Sequence, residues 1–302
     1  MKRGLLQLTG AVIDILQRVE RLPRPGEGLT AQAAGIGAGG GFNAIAAARR
    51  AGADVAYGGA LGTGPFADLV RASLAAEGAP VLQRRRIAQD QGFCTVLVES
   101  DGERAYVYTP GAERAATADD LAALPAEDFG WALLGGYAAP SGEDIFGDWL
   151  DALPRSVTLM FDPTPLVVIV GRAGVARALA RADWVSANRR EAQALTGLDP
   201  ARAAEALSQG RRGAVVRDGA NGCWVACSGA AVLVPGFPVV AVDSAGAGDA
   251  HVGAFIAALM AGAAPVAAAR FANAAAAIAV TRLGAASAPL RGEVEGLLGG
   301  WA

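Results

Sequence analysis

The chain has 302 residues, of which 53% are hydrophobic and 18% charged, a composition typical of a globular protein with a large buried core. Its formal net charge of −3 argues against nucleic acid or an anionic membrane surface as the main partner, because either would favour a basic patch. Lys2 is the only lysine and His251 the only histidine, which excludes zinc sites built on two histidines and any Walker A or Schiff-base lysine other than Lys2.

The first residues, MKRGLLQLTGAVIDIL, combine two basic residues with an apolar run, as a secretory signal does. Asp14 interrupts that run and no small-residue cleavage site follows, so the segment is interpreted as a first strand. The uncharged stretch 251–269 approaches the length of a membrane span, but it consists mostly of Ala and Gly and contains Gly262 and Pro265. We therefore expect a cytoplasmic protein.

Strand-like and helix-like segments alternate along most of the chain. Buried strands are predicted in LLQLTGAVI, DVAYGGALG, WALLGGY, VTLMFDPTP, ADWVSAN and GAVVRDG, and helices in FNAIAAARRAG, PFADLVRASLAAEG and a long alanine-rich C-terminal segment. This alternation predicts an α/β fold with a mostly parallel central sheet that is covered by helices on both faces.

Two segments depart from the alternation. Residues 91–109 read as a hairpin of two alternating strands around the turn Asp101-Gly102, and residues 14–32 are polar, contain two prolines and look extended. We expect both, within about 14–33 and 91–111, to form a small β lid on the main body.

A glycine cluster, GIGAGGGFNAIAAARRAG, precedes the first predicted helix. Gly35, Gly37 and Gly40 match G-x-G-x-x-G, but no acidic residue ends the following strand, as a dinucleotide site would require. Glycine also lets the backbone approach a ligand closely, and Asn43 on the first helical turn can bind hydroxyl groups. A polyol-binding loop, a dinucleotide site and an ordinary turn all stay open on these letters.

The stretch VDSAGAGDAHVGAFIAALMAG places Asp243 and the small residues 246–248 before a predicted helix that begins near Asp249. Successive amide groups and the helix dipole would form an anion-binding pocket there. Asp249 beside that pocket could accept a proton from a substrate hydroxyl. It could equally be a helix cap, since aspartate is favoured at that position.

Five motifs resemble those of the PfkB, or ribokinase-like, carbohydrate kinases, in the family's order. The stretch 243–249 is similar to the signature D-T-x-G-A-G-D-x-F, and the block from Gly39 through Asn43 to Gly52 is similar to the G-G-x-x-x-N-x-A signature. Between them, SANRREAQALTG resembles the N-x-x-E motif and VVRDGANGCWV the nucleotide-binding strand-turn-strand. NAAAAIAVTRLGAASAP resembles the adenine-side helix and cation loop.

This resemblance implies a single ribokinase-like domain over 1–302, a three-layer α/β/α fold with a small β lid. It implies transfer of the γ-phosphoryl group of ATP to a hydroxyl of a small, ribose- or fructose-like sugar, with Mg²⁺, K⁺ as a candidate activator, and a homodimer formed through the lid. A nucleoside kinase of the adenosine or pseudouridine kind is the alternative within the family. A dinucleotide-binding oxidoreductase and a non-catalytic sugar or nucleotide sensor are the alternatives outside this activity.

The resemblance also assigns residues. The expected roles are the catalytic base for Asp249, the anion hole for Gly246, Ala247 and Gly248, the sugar site for Asp14, Gly39, Gly40 and Asn43, and the nucleotide site for Asn188, Glu191, Arg217, Gly219, Gly222 and Asn273. Glu191 is expected to hold Mg²⁺ through water. Asp243, with the loop 284–287, is the expected monovalent-cation site.

Two residues depart from the signature. Ser244 replaces the usual Thr, and His251 stands where Phe is usual. A helix would direct His251 roughly 160° away from Asp249, so we expect it to pack in the core as Phe would. The sequence G-D-x-H and the DGER hairpin at 101–104 are similar to a less characterised branch of the family. The block AGGGFNA lacks the ribokinase lysine, so ribose is not established as the acceptor.

Overall fold

The computed structural model describes residues 4–100, 103–136, 145–164, 173–284 and 286–300. Its strands are β1 (Gly4–Gln7), β2 (Ala11–Arg18), β3 (Ala33–Gly40), β4 (Asp54–Tyr57), β5 (Phe93–Val98), β6 (Arg104–Thr109), β7 (Trp131–Gly135), β8 (Thr158–Asp162), β9 (Trp184–Asn188), β10 (Gly213–Arg217), β11 (Gly222–Ala226) and β12 (Val232–Pro235). Its helices are α1 (Gly41–Arg50), α2 (Pro65–Ala76), α3 (Ala118–Ala122), α4 (Gly147–Ala152), α5 (Ala173–Arg181), α6 (Arg189–Thr196), α7 (Pro200–Ser208), α8 (Ala247–Met260), α9 (Pro265–Ala279) and α10 (Arg291–Gly299).

Eight strands form the main sheet in the order β12-β11-β10-β9-β8-β7-β1-β4. The six strands from β10 to β4 pair in parallel, and β11 and β12 continue the sheet in antiparallel fashion. Parallel strands place their carboxyl ends at one edge, where ligands of open α/β sheets bind. The predicted α/β fold with a mostly parallel central sheet is confirmed.

Alternate residues along each central strand enter two separate cores. Leu5 and Val215 belong to the core that α1, α2, α8 and α9 cover, whereas the next residues, Leu6 and Val216, belong to the core under α4 to α7. Period-two alternation with both faces apolar is what a sheet covered on both sides requires. The molecule therefore has three layers, with helices on either side of the main sheet.

The predicted first strand is divided between two sheets. Residues 4–7 form β1 in the main sheet, and after Gly10 the chain continues as β2 in a second, four-stranded sheet of order β3-β2-β5-β6. Asp14 consequently lies in this small sheet, opposite Gly37 of β3 and Cys94 of β5. β5 and β6 form the predicted hairpin, while its turn at Asp101-Gly102 lies outside the described residues.

The glycine cluster has a different conformation from the one its letters predicted. Residues 33–40 are a strand of the small sheet, and the helix begins only at Gly41. Gly40 makes the turn, with φ of 58°, and a Cβ on Gly41 would lie 2.1 Å from the Thr9 carbonyl oxygen. The dinucleotide interpretation fails here, because G-x-G-x-x-G would have to join a strand of the main sheet to its helix. Among the helices that the structure describes, none has the length and hydropathy needed to cross a bilayer.

Candidate active site

Polar side chains from three neighbouring strands meet at the carboxyl edge of the main sheet. Asp162 ends β8, Asn188 ends β9 and Arg217 ends β10. The starts of α1 and α8 lie against the same region, since Asn43 contacts Asp249 and Gly248 faces Arg217. Residues that the sequence places far apart are thus gathered at one edge.

The start of α8 provides unpaired backbone donors. Gly246 precedes the helix in the left-handed conformation, with φ of 69°, and among the described residues no side chain caps the helix. The amide of Ala247 donates to Ser244 O at 3.3 Å, whereas Gly248 and Asp249 lie in the first turn, where amides have no acceptor within the helix. These amides and the helix dipole create the positive potential that an anion requires.

The carboxylate of Asp249 faces α1. Asn43 donates from Nδ2 to Asp249 Oδ2 at 3.3 Å, and Asn43 Oδ1 accepts from the amide of Ala286 at 2.8 Å. The two helices pack closely enough that a Cβ on Gly253 would lie 2.5 Å from Ala44 O. Because the carboxylate contacts Asn43 rather than its own helix amides, the capping interpretation of Asp249 is not supported.

The pKa of Asp249 is raised to about 7. Burial is the main cause, and the negative charge of Asp162 adds to it, while the Asn43 hydrogen bond and Arg217 act in the opposite direction. A carboxylate with a pKa near neutrality is suited to accept a proton at physiological pH. The raised pKa and the contact with Asn43 are both compatible with the expected role of Asp249 as a general base.

Arg217 joins residues of β8, β9 and α6 at this edge of the sheet. Its Nη1 donates to Asp162 Oδ2 at 2.8 Å and to Ser186 Oγ at 2.6 Å, and its Nη2 lies 3.4 Å from Glu191 Oε2. Burial lowers the pKa of Arg217, but the charges of Asp162 and Glu191 outweigh it and raise the pKa overall. The guanidinium therefore stays charged, and its Cζ lies 3.6 Å from where a Cβ on Gly248 would be.

Asn188 and Glu191 form a reciprocal cap at the start of α6. Asn188 Oδ1 accepts from the Glu191 amide at 2.9 Å, while Glu191 accepts from the Asn188 amide at 2.7 Å and from its Nδ2 at 2.6 Å. Glu191 is buried, and its pKa is raised to about 7 by burial and by Asp162, against the lowering effect of Arg217. Both Glu191 oxygens already accept hydrogen bonds, which suits contact with Mg²⁺ through water.

Within the described residues no group of three or more His, Cys, Asp and Glu side chains could hold a metal ion by itself. Mg²⁺ commonly takes one or two carboxylates and completes its octahedron with water and substrate phosphates. The oxygen-rich surroundings of Asp162, Asn188 and Glu191 fit that mode of binding. Phosphates would have to supply the remaining ligands.

Asp14 approaches the backbone of β3 closely. A Cβ on Gly39 would lie 1.9 Å from Asp14 Oδ2, so only glycine leaves room for this carboxylate. Burial, together with the charge of Asp243, raises the pKa of Asp14 to about 6. The expected sugar residues Asp14, Gly39, Gly40 and Asn43 thus lie on β2, β3 and the start of α1.

The expected cation ligand Asp243 is buried and already has three partners. Its Oδ1 accepts from the Ala245 amide at 2.8 Å and from Arg104 Nη2, and its Oδ2 accepts from the Gly284 amide at 2.9 Å. Of the predicted loop 284–287, residue 285 lies outside the described residues. The positive charge beside Asp243 is the guanidinium of Arg104.

Two of the remaining expected nucleotide residues, Gly219 and Gly222, lie in the turn between β10 and β11, whereas Asn273 lies on α9 and contacts β12. Gly219 and Gly222 have φ of 58° and 99°, which this turn requires of them. The side-chain Nδ2 of Asn273 donates to Val234 O at 2.9 Å and to Pro235 O at 3.1 Å, and its Oδ1 lies 3.2 Å from His251 Nε2. Asn273 therefore fixes the end of β12.

His251 is buried, as expected. Its ring stacks on Phe255 with centroids 6.2 Å apart, and burial, helped by the charge of Arg217, lowers its pKa to about 3. Among the described residues its Nδ1 has no hydrogen-bond partner. The ring is neutral and packs in the core, away from the Asp249 carboxylate.

Three residues of this site were not predicted from the sequence. Asp162 and Ser186 contact Arg217, and Arg104 contacts Asp243. Asp162 had a recognisable signal, because it is the polar residue that ends the predicted strand in VTLMFDPTP. Arg104 is part of the DGER hairpin, but the sequence did not indicate what it contacts.

Comparison with known proteins agrees with this geometry. Residues 5–291 match the family model described as pfkB family carbohydrate kinase. The uncharacterized sugar kinase YegV of Escherichia coli (strain K12) is 31% identical over 303 residues, 97% of this chain and 93% of that protein. An ATP-dependent ribose-1-phosphate kinase of Halopiger xanaduensis is 31% identical over 94% of each chain.

Solved structures share the fold along its whole length. Arabidopsis thaliana ribokinase complexed with ribose and ATP aligns with a TM-score of 0.83 and 26% identity, covering 99% of each chain. Ribokinase from Thermotoga maritima aligns with a TM-score of 0.84 and 25% identity, covering 98% of this chain and 99% of that one. The ribokinase-like fold is thereby confirmed, and the chain belongs to the pfkB family of carbohydrate kinases.

Proposed function

We propose that this chain transfers the γ-phosphoryl group of ATP to a hydroxyl of a small sugar, with Asp249 as the general base. The observation that carries the proposal is the 3.3 Å contact between Asn43 Nδ2 and Asp249 Oδ2. It places the residue expected to hold sugar hydroxyls next to the expected base, and both lie beside the open amides of α8. An acceptor hydroxyl bound by Asn43 would thus be within reach of the carboxylate.

The transfer needs one proton movement and one displacement. Asp249 takes the proton of the acceptor hydroxyl, the oxygen forms a bond to the γ-phosphorus, and the bond from that phosphorus to the bridging oxygen of ADP breaks. The open amides at the start of α8 and the dipole of that helix bind the charge on the transferred group. No covalent enzyme intermediate is required.

ATP and Mg²⁺ would lie along the nucleotide-side residues. Asn188 and Glu191 would hold Mg²⁺ through water, and the ion would neutralise phosphate charge when it is bound. Arg217, fixed by Asp162 and Ser186, contributes a permanent positive charge under the phosphate pocket. The turn at Gly219 and Gly222 leaves backbone free of side chains beside the nucleotide.

A small sugar fits the acceptor side better than a nucleoside. Aromatic residues are sparse on that side: Phe42 is buried, and Phe93 packs against Phe66 with ring centroids 5.3 Å apart. Tyr108 pairs with Cys94 across the small sheet, and Cys94 pairs in turn with Asp14. The hydroxyl of Tyr108 donates to Glu113.

Relatives of the chain include proteins named ribokinase and fructokinase, which also favours a simple sugar. The small sheet, which carries Asp14, would close over this sugar as a lid and exclude water.

The proposal is tested with purified protein and a panel of pentoses, hexoses, sugar acids and nucleosides, following ADP release with Mg²⁺ and ATP. We expect ADP release that depends on one of the simple sugars, and a phosphorylated sugar by mass spectrometry. ADP release only with nucleosides would assign the chain to the nucleoside alternative. Release that is equal with and without acceptor would contradict the proposed sugar transfer.

A further inference from the structure

Arg104 connects the small sheet to the loop that carries the open amides. It is the first residue of β6, and its partners Asp243 and Ser244 lie just before α8, about 140 positions further along the chain. Its Nη2 donates to Asp243 Oδ1, and its Nη1 donates to Ser244 Oγ at 2.9 Å. One guanidinium thus holds two consecutive residues of the loop.

The contact of Arg104 with Asp243 is largely buried, whereas Ser244 is exposed. The side chain of Arg104 is 10% exposed and that of Asp243 only 1% exposed. A carboxylate removed from water to this degree needs a compensating positive charge and donors for its oxygens. Arg104 supplies the charge, and the amides of Ala245 and Gly284 supply the remaining hydrogen bonds.

A monovalent cation at Asp243 does not fit this arrangement. Asp243 accepts three hydrogen bonds, two at Oδ1 and one at Oδ2, and one of those at Oδ1 comes from a guanidinium that already carries a positive charge. A second positive charge at the same carboxylate would be repelled by Arg104. Arg104 already supplies the one positive charge that such an ion would bring.

We infer that Arg104 is a positioning residue that takes the place of a monovalent cation and makes the activity independent of K⁺. It fixes Asp243 and Ser244, and through them the backbone that leads to the Gly246–Gly248 amides. Arg104 and Asp14 belong to the same small sheet. When that sheet packs against the main body, it therefore positions the Asp14 carboxylate and, through Arg104, orders the amides at the start of α8. This inference rests on the proposed function of those amides.

The first experiment compares chloride salts at constant ionic strength. We expect the wild-type rate and melting temperature to be the same in K⁺, Na⁺ and choline chloride. Specific activation of the wild type by K⁺ would overturn the inference. The melting arm needs no acceptor, so it still tests Arg104 if no sugar is phosphorylated and the proposed function itself fails.

The second experiment uses Arg104→Ala. We expect kcat to fall by about 10²-fold, because a misplaced anion hole costs about that much. We also expect partial recovery with guanidinium chloride at low millimolar concentration, or a new rise of both rate and melting temperature with K⁺. Wild-type kcat in Arg104→Ala, or a loss that neither guanidinium nor K⁺ recovers in folded protein, would contradict a cation-like role.

Matched variants separate positioning from folding. Arg21→Ala removes an exposed ion pair with Glu27 in the loop of the same small sheet and should leave rate and cation dependence unchanged. Arg104→Lys keeps the charge but loses the two-pronged contact, so it should retain K⁺ independence with a reduced kcat. If K⁺ activated Arg104→Lys as much as Arg104→Ala, the charge of Arg104 could not be what replaces the cation. If Arg21→Ala also became dependent on K⁺, the effect would not be specific to the position of Arg104.

Discussion

Arg217 Nη1 donates a hydrogen bond to Asp162 Oδ2 at 2.8 Å, and this ion pair joins the carboxyl ends of β10 and β8. The two charges have opposite effects on Asp249, since Asp162 raises its pKa and Arg217 lowers it. Burial raises the pKa of the proposed base most, and this pair of residues outside its own motif then adjusts that pKa in opposite directions. Glu191 is subject to the same two opposing charges.

The pH dependence of the activity should follow the raised pKa of Asp249. Only the ionised form of Asp249 can take a proton, so kcat/KM should fall about tenfold per pH unit below pH 7, where its pKa lies. Asp162→Asn removes a negative charge and should lower the pKa of Asp249, which moves this acidic limb to lower pH. Initial rates of the wild type and of Asp162→Asn between pH 5 and 9 measure the acidic limb of each protein. An acidic limb that shifts upward in Asp162→Asn would show that the charge balance is wrong.

Asp249→Asn should abolish most turnover and stabilise the fold. Loss of a general base costs typically about 10²- to 10⁴-fold in kcat, while the KM for sugar and ATP should change little. The folded pKa of Asp249 is raised from 3.8 to about 7, so its ionisation costs stability as pH rises through that window. The variant should melt at higher temperature than wild type at pH 8, and the difference should vanish near pH 4.

Two measurements decide this prediction separately. A rate within tenfold of wild type would remove Asp249 as the base. A lower melting temperature at pH 8 would instead mean that the carboxylate contributes more to the fold through Asn43 than its burial costs.

Gly39→Ala should weaken sugar binding through Asp14. The added Cβ would lie 1.9 Å from Asp14 Oδ2, so the carboxylate has to move away from its position. We expect a rise of about tenfold or more in the KM for sugar, with the KM for ATP unchanged, since losing a hydrogen bond to a charged group costs about 1.5–3 kcal/mol.

Gly35→Ala is the control, because it lies in the same strand and, in the described part of the chain, no atom lies within 4 Å of its added Cβ. Equal effects of the two substitutions on the KM for sugar would mean that strand propensity, rather than the Asp14 contact, is responsible.

His251→Phe should leave kcat unchanged and alter the pH dependence of stability. The folded pKa of His251 is about 3 and the unfolded value 6.5, so the unfolded chain binds the proton first and wild-type stability falls as pH drops through this window. Phe cannot be protonated, and the variant should therefore gain melting temperature relative to wild type as pH falls from 6.5 toward 3. A large loss of kcat would show that the imidazole acts in the site after all.

Much of the site could be predicted from local sequence. Three local patterns indicate their chemistry by residue type: the stretch 243–249, the cap at Asn188 and Glu191, and Asn43 on the first turn of α1. The Asn188–Glu191 cap forms within one helical turn, which is why its spacing alone predicts the contact. Single lysine and histidine residues excluded several other chemistries before any contact was known.

Local sequence was insufficient to decide whether some segments form a strand or a loop. The segment 33–40 consists largely of glycine, which carries no side chain to indicate periodicity, so its assignment to β3 depends on pairing with β2. The division of the first strand at Gly10 likewise depends on which sheet each half joins.

The sequence by itself determined the fold class, the family resemblance and the residue types at each loop, because alternation and motif spacing are local properties of the chain. Tertiary structure alone decided that Asp162 contacts Arg217, that Arg104 pairs with Asp243, and that His251 contacts Asn273. These pairs join residues between 22 and 139 positions apart. Strand order, burial and summed charge bring them together, and no window of sequence contains that information.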